Sequence, residues 1–293
     1  KGTLSFWKVR RVVEEVADEE FEISLKDAKK EKKDAKVEDE ITYPLPTHDE
    51  FGRIAAQTAK QVIIQKLKEL EREIIFNEFK SEEGMMANGI VQQVDGGNVI
   101  IDLGRANGIM FPSEQVPDEH YRIGQRLKVL IFRVEESSRG PQILVSRASE
   151  ELIRHLFIIE VPEIEAGTVQ IMGISREAGV RSKMAVRALQ ESVDPVGSCV
   201  GQRGTRVQAV LSEINNEKID IILWDEDIEQ FIINALSPAK VKRVKLNKNS
   251  QEVMVVVDPD QLSLAIGKGG QNVRLASKLT GWRIDVVEAT KVS

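Results

Sequence analysis

The spacing of apolar and polar residues changes several times along this chain, and each change marks a different element. Near the start, Leu4-Ser-Phe-Trp-Lys-Val-Arg-Arg-Val-Val and Phe21-Glu-Ile-Ser-Leu alternate charged with β-forming residues, which predicts two paired strands around an acidic turn at Glu14–Glu20. Lys29–Glu40 is a dense mixture of Lys, Asp and Glu, read as an exposed helix end or solvated linker, and Tyr43-Pro-Leu-Pro as a rigid extended break. From Asp49 the period becomes helical, with Ile54, Ala55, Thr58, Val62, Leu70 and Ile74 near helical spacing and no proline. Roughly thirty residues of helix would reach about 45 Å, which suits a connector between modules. Its first half equally suits an amphipathic helix covering the preceding strands.

Between Gly84 and Arg147 the pattern predicts five short strands separated by glycine turns: Gly89–Val94, Asn98–Gly104, Ala106–Phe111, Arg126–Val134 and Gln142–Arg147. Five is the strand count of an OB-fold barrel. Glu150–Ile159 then has helical spacing, Val161-Pro-Glu-Ile is a break, and Thr168–Ile174 and Ser182–Arg187 read as strands. Next comes Gly201-Gln202-Arg203-Gly204, followed by an amphipathic run. After a helix at Asp227–Leu236 and strands at Val241–Leu246 and Glu252–Val257, the device returns as Gly267-Lys268-Gly269-Gly270, with a closing strand from Trp282.

The two loops are in register, their first and last glycines each 66 residues apart. A branched residue precedes each (Val200, Ile266), a valine follows three after the last glycine (Val207, Val273), and an Ile-Asp pair is expected to close each helix (Ile219-Asp220, Ile284-Asp285). Each copy is entered through Asp-Pro (Asp194-Pro195, Asp258-Pro259), a carboxylate cap before a proline suited to the first helical turn. Helix, two strands, helix, loop, helix, strand is thus written twice.

A lone GxxG is a weak signal, because a glycine corner between helices uses the same residues. Repetition makes phosphate recognition the better reading. Little side-chain bulk stands before a helix N-terminus that favours anions. Glycines 201, 204, 267, 269 and 270 permit close backbone approach, Gln202 completes the first loop, and Arg203 and Lys268 place one cation in each. Arg206 and Arg274 follow on the next turn, where each is either a phosphate contact or a solvated helix charge.

Composition narrows the partners further. At 293 residues, 41% hydrophobic and 30% charged, the chain has room for two to four small domains, and no apolar run approaches the roughly 20 residues a bilayer demands. It opens with Lys1-Gly2 instead of Met, so a trimmed start is expected. Cys199 is the single cysteine and reads as a buried small residue in a cytoplasmic protein. A net charge of −6 disfavours indiscriminate nucleic-acid binding, so local patches must carry any RNA affinity. His48, His120 and His155 are too scattered for a metal set, the acidic residues form no paired-carboxylate constellation, and no cofactor is expected.

The ordered pieces from Gly89 to Arg147 resemble the RNA-binding barrel first described in ribosomal protein S-one, and the repeat resembles two tandem KH domains of the bacterial type II topology. Barrels of that kind present aromatic residues for base stacking, here mainly Phe111, with Tyr121 in a loop and Phe132 in the core. The whole order is similar to the NusA family of bacterial transcription elongation and termination factors. Four segments carry that resemblance: Phe51–Val62, Ser138–Arg147, Ser175–Val186 with Val193–Gly201, and Leu262–Asn272. The expected architecture is multidomain α+β. It comprises a partial α/β N-terminal polymerase-binding domain with its connector helix (1–82), a five-stranded OB-fold barrel (83–148), a first KH domain (149–227) and a second (228–293).

The resemblance implies a monomeric, non-enzymatic partner of RNA polymerase, single-stranded nascent RNA and other elongation or antitermination factors, modulating pausing, termination and antitermination. Against that resemblance the start of the N-terminal domain reads as missing and no acidic repeats follow the second KH domain, so an incomplete polymerase-contact surface is expected. The alternative is a non-catalytic RNA-binding subunit of an RNA-processing or degradation assembly.

Overall fold

A computed structural model describes residues 6–18, 20–45, 49–138, 140–215 and 217–289; expectations resting on Lys1-Gly2, Leu4, Ser5, Pro46, His48 and Arg139, and on the Ile54 side chain, lie outside the described residues. The chain divides into two compact units, Lys1–Glu71 and Arg72–Ser293.

The first unit holds β1 (Phe6–Val13), β2 (Glu22–Ser24), α1 (Leu25–Glu31) and β3 (Glu40–Leu45), and the start of α2 (Asp49–Ser81). The two predicted strands do pair, but in parallel, with Val12 opposite Ile23, so the acidic stretch between them is a crossover and not a hairpin turn. β1 occupies the centre of the sheet because β3, expected as an extended break, pairs with its other edge antiparallel. Pro44 sits opposite Trp7 on that outer strand, where a missing N–H is tolerated. Ser24 caps α1, its Oγ accepting from the Asp27 N–H at 3.2 Å. Val12, Ile23, Ala28 and Ala35 form the small core. Residues 55–74 of α2 are exposed throughout, Val62 and Leu70 by more than half, which favours the connector over a helix covering the strands.

In the second unit, Ile75, Phe76 and Phe79 on the last turns of α2 pack on the core of a closed barrel. Its strands β4 (Met86–Asp95), β5 (Asn98–Asp102), β6 (Asn107–Met110), β7 (Arg126–Ser137) and β8 (Gly140–Ser146) close in the order β4-β5-β6-β8-β7. Alternation turns Val91, Val99, Ile101, Val129, Ile131 and Ile143 into the lumen.

The first repeat contains α3 (Glu150–Glu160), α4 (Pro162–Glu165), β9 (Val169–Glu177), β10 (Arg181–Ala188), α5 (Pro195–Val200), α6 (Thr205–Glu213) and β11 (Lys218–Leu223). The second contains α7 (Ile228–Ala235), β12 (Val241–Asn247), β13 (Glu252–Val257), α8 (Pro259–Ile266), α9 (Gln271–Thr280) and β14 (Arg283–Glu288). Each sheet has the same wiring: an antiparallel first strand, a central strand, and a closing strand parallel to it. The Ile-Asp pairs lie on the closing strands β11 and β14 and do not end the helices.

Buried charges join barrel to first repeat and first repeat to second. Arg147, 1% exposed, donates to both carboxylate oxygens of Glu119 on the barrel and to the Glu213 carbonyl at the end of α6. Arg176 grips the fully buried Glu217 through three contacts of 2.8–3.1 Å and donates to the Arg147 and Ser149 carbonyls. At the other junction α9 lies on β9 and β10; Ser175 Oγ donates to the Leu275 carbonyl (2.9 Å) and the buried Lys183 ammonium to the Ser237 carbonyl (3.1 Å). Burial alone would raise the Asp220 pKa, but hydrogen bonds from Arg181 and the nearby Lys183 ammonium hold this carboxylate below its usual range.

Candidate nucleic-acid interface

Each loop is set by a short helix that must stop. In the first copy Asp194 caps α5, its Oδ1 accepting from the Val196 N–H (3.1 Å), and the helix ends at Gly201, φ 75°. In the second, Asp258 makes no cap hydrogen bond: Lys242 Nζ holds its carboxylate at 2.5 Å instead, so the expected cap exists in only one copy.

The loop backbones match almost angle for angle. Gly201 (75°, 174°) corresponds to Gly267 (75°, 171°), Arg203 (53°, 24°) to Gly269 (60°, 26°) and Gly204 (79°, 13°) to Gly270 (75°, 13°). In both, the N–H of the last glycine donates to the carbonyl of the first at 3.1 Å. The same conformation is therefore reached by different residues, and Arg203 holds it in a left-handed position that disfavours side chains by about 1–2 kcal/mol. The glycines have different reasons to be glycine. A Cβ on Gly201 would stand 2.8 Å from Arg206 Cγ, and one on Gly267 2.8 Å from the Asn272 backbone nitrogen, whereas one on Gly204 or Gly270 would meet only an ordinary contact, Val207 Cγ1 at 3.9 Å or Arg274 Nη1 at 4.0 Å.

The structure brings Gln202, Arg203, Lys268 and Gly269 together with their loops as exposed groups at the head of a helix. It treats the following arginines otherwise. Arg206 is half-buried, donating to the Ser198 carbonyl (2.6 Å) and the Glu163 carboxylate (2.9 Å). Arg274 is exposed but donates to Glu177 (2.6 Å) and the Gly269 carbonyl (3.2 Å). That hydrogen bond from Arg274 holds the Glu177 carboxylate below its usual range. Both guanidiniums, expected as either phosphate contacts or solvated helix charges, instead brace their loops with their charge neutralised. The sequence repeat also pairs Arg206 with Asn272 and not with Arg274: buried Asn272 donates to the Leu264 carbonyl, the counterpart of Ser198, and to those of Leu236 and Ala265, each at 3.1 Å. Asn272, Glu163 and Glu177 were invisible as loop residues because only the 66-residue offset singles out the first, and the acids lie 43 and 97 residues from their partners.

On the barrel, Phe111 is half-buried just before a single helical turn at Pro112–Glu114. Tyr121 packs against the barrel core and its hydroxyl is used internally, accepting from the Val116 N–H and donating to Glu119. Phe132, expected in the core, is 44% exposed. It is the extra residue of a bulge between Ile131 and Arg133, which keeps Ile131 and Val134 inside while turning the ring out, with the Arg133 guanidinium 5.8 Å from its centroid. Cys199 is fully buried, as expected of a single small cysteine, and burial pushes its thiol up to about 12.

A five-stranded barrel followed by two such modules, with superimposable glycine loops, defines an RNA-binding class of protein. Family profiles match in the same order: NusA N-terminal domain at residues 1–73, S1 RNA binding domain at 80–146, NusA-like first KH domain at 147–224 and NusA-like second KH domain at 228–293. The transcription termination/antitermination protein NusA of Thermus thermophilus is 48% identical over 98% of this chain and 74% of its own length. Proteins of the same name from Halalkalibacterium halodurans and Bacillus subtilis are each 47% identical, over 97% of this chain and 74% of the former, and over 99% of this chain and 78% of the latter. The chain belongs to the NusA family. A solved multidomain protein with nucleic acid binding domains from Streptococcus pneumoniae overlaps 71% of this chain and 70% of its own at 14% identity and a TM-score of 0.22, too loose a likeness to argue from.

Proposed function

We propose that this chain regulates transcription by holding single-stranded nascent RNA beside RNA polymerase, acting on pausing, termination and antitermination by binding and without a chemical step. The observation that carries the RNA half is the coincidence of the two loop backbones in glycine-rich turns of different sequence, each presenting one exposed cation, Arg203 and Lys268, that forms no ion pair among the described residues. A KH loop clamps about four nucleotides, so two loops in one compact unit offer an extended site. Phe111 and Phe132 on the barrel are the candidate base-stacking groups. The polymerase half rests on the name the relatives carry and on the N-terminal profile match. The protein acts as a cytoplasmic monomer on this reading; no described helix is long and apolar enough to cross a membrane.

Co-elution with RNA polymerase, with and without transcript, tests the proposal. The chain should co-elute in both cases, and more completely when transcript is present. Failure of both this chain and a form extended at its N-terminus to co-elute would remove the polymerase half and leave RNA binding alone.

A further inference from the structure

Among the described residues of the second unit, the densest run of unpaired positive charge is not at the glycine loops. Strand β12 and its flanks read Lys240-Val-Lys242-Arg243-Val-Lys245-Leu-Asn-Lys248, and all five cations are exposed. Lys242 is taken by Asp258, but Lys240, Arg243, Lys245 and Lys248 form no ion pair among the described residues. β12 is an outer strand of its sheet, hydrogen-bonded to β13, while the loop helices α8 and α9 contact the opposite strand, β14. The strip therefore lies on the far side of the sheet from the strand that the loop helices share. A chain carrying −6 overall concentrates cations here against its own balance.

The repeat shows that this surface is open where its counterpart is filled. In the first module the row Ser175, Lys183, Asp220 crosses the sheet, and its first two residues donate to the Leu275 and Ser237 carbonyls of the second module. In the second module the corresponding row is Lys245, Met254, Asp285. These three line a groove of about 520 Å³ with Asn247, Lys248, Asn249 and Glu252, whose carboxylate is already taken by Arg283 and the Ser250 hydroxyl, and Met254 is 38% exposed. Cations two residues apart on one strand are about 7 Å apart, the order of the step between phosphates of an extended nucleic acid.

We propose that the β12 edge with this groove is a second, sequence-independent site for the phosphate backbone of single-stranded RNA, engaged by transcript extending beyond the loops. The inference rests on the RNA-binding reading of the chain but uses none of the loop residues. The competing explanation is that the lysines merely keep an outer strand from pairing with other chains.

The test compares the full chain with a Lys240→Gln, Arg243→Gln, Lys245→Gln, Lys248→Gln variant by fluorescence anisotropy over a salt series. One unstructured RNA has about 8 nucleotides, enough for two loops, and the other about 24, enough for barrel, loops and strip. Because the variant no longer neutralises about four phosphates, the slope of log affinity against log salt for the longer RNA should become shallower by about 2.8. Affinity for the shorter RNA should stay within about twofold, since no loop residue has changed. An unchanged slope with a folded, monodisperse variant would overturn the proposal, as would self-association of the variant with unaltered RNA affinity. Cross-linking of a photoreactive 24-nucleotide RNA to the unaltered chain gives an independent reading: adducts on residues 240–248 support the site, and their absence contradicts it. If the unaltered chain binds only the longer RNA and the variant still shows the shallower slope, the strip stands and the loop reading falls.

Discussion

Gly267 and Gly270 share a φ of 75°, yet the same substitution should cost very different amounts at the two positions. An alanine at Gly270 meets nothing nearer than Arg274 Nη1 at 4.0 Å, so its cost is the left-handed backbone alone, about 1–2 kcal/mol. An alanine at Gly267 bears the same strain, and its Cβ would stand 2.8 Å from both the backbone N and the Cβ of Asn272. Backbone cannot rotate out of the way, so the start of α9 must shift. Asn272 is 4% exposed and donates to three carbonyls. Its two N–H groups are shared among these three carbonyls, so a shift that takes an N–H away from its acceptors leaves a buried donor unsatisfied, which costs about 1–3 kcal/mol more. Gly267→Ala should therefore destabilise by about 2–5 kcal/mol and Gly270→Ala by about 1–2 kcal/mol. Urea denaturation of the two variants, compared by midpoint at constant slope, measures the difference. Equal midpoints would refute the role given to Asn272, and a Gly270→Ala cost above that of Gly267→Ala would refute the loop geometry itself.

Glu217 is fully buried between Arg176, Ser182 and the Gly179 N–H, so Glu217→Ala strands a buried guanidinium and should cost about 3–5 kcal/mol, read as a lowered thermal midpoint. Replacing Arg176 and Glu217 together by apolar residues should recover only part of that loss, since the Arg147 and Ser149 carbonyls, the Ser182 hydroxyl and the Gly179 N–H still lose a partner; no recovery would mean that these bonds, and not the stranded charge, carry the cost. Acid should weaken the first repeat through Asp220 and its contact with the second through Glu177. Glu177 and Asp220 are held below the usual carboxylate range by their cationic partners, so the stability they contribute is present above their unfolded pKa of about 4 and is lost as pH falls through their folded values. The thermal midpoint should be flat from neutrality to mild acid and drop below about pH 4, with a smaller drop in Asp220→Asn; identical acid profiles would count against Asp220.

The barrel and both repeats were legible because their cues are local and repeated. Glycine turns bound alternating strands from Gly89 to Arg147, and the 66-residue offset aligns not only the loop glycines but the torsions they adopt. Pairing direction in the first sheet was not legible, since Glu14–Glu20 suits a hairpin turn as well as a crossover and the competing strand around Pro44 carries a strand-breaking residue. Phe132 was misplaced because it stands in the apolar run Val129-Leu-Ile-Phe: alternation counted from Ile131 puts it outside and counted from Val134 puts it inside, and only the bulge decides between them. The arginines beside the loops were legible as cations but not as paired ones, because Glu163 and Glu177 meet them only through tertiary structure. The basic β12 strand was visible in the sequence as charge, and only the sheet order makes it an outer strand.

On the proposed function, the two glycine loops hold RNA through close backbone approach and one exposed cation each, Arg203 and Lys268. A Cβ at Gly204 or Gly270 meets only an ordinary contact, so aspartates there add bulk and negative charge to the loop without disturbing the core, and short polar residues tolerate the left-handed conformation best. The decisive measurement is filter binding of an unstructured RNA of about 8 nucleotides to a Gly204→Asp, Gly270→Asp variant whose folding has been verified by its thermal midpoint. Affinity should fall about tenfold or more, at least about 1.4 kcal/mol. A folded variant that binds this RNA with undiminished affinity would mean that the loops do not hold it.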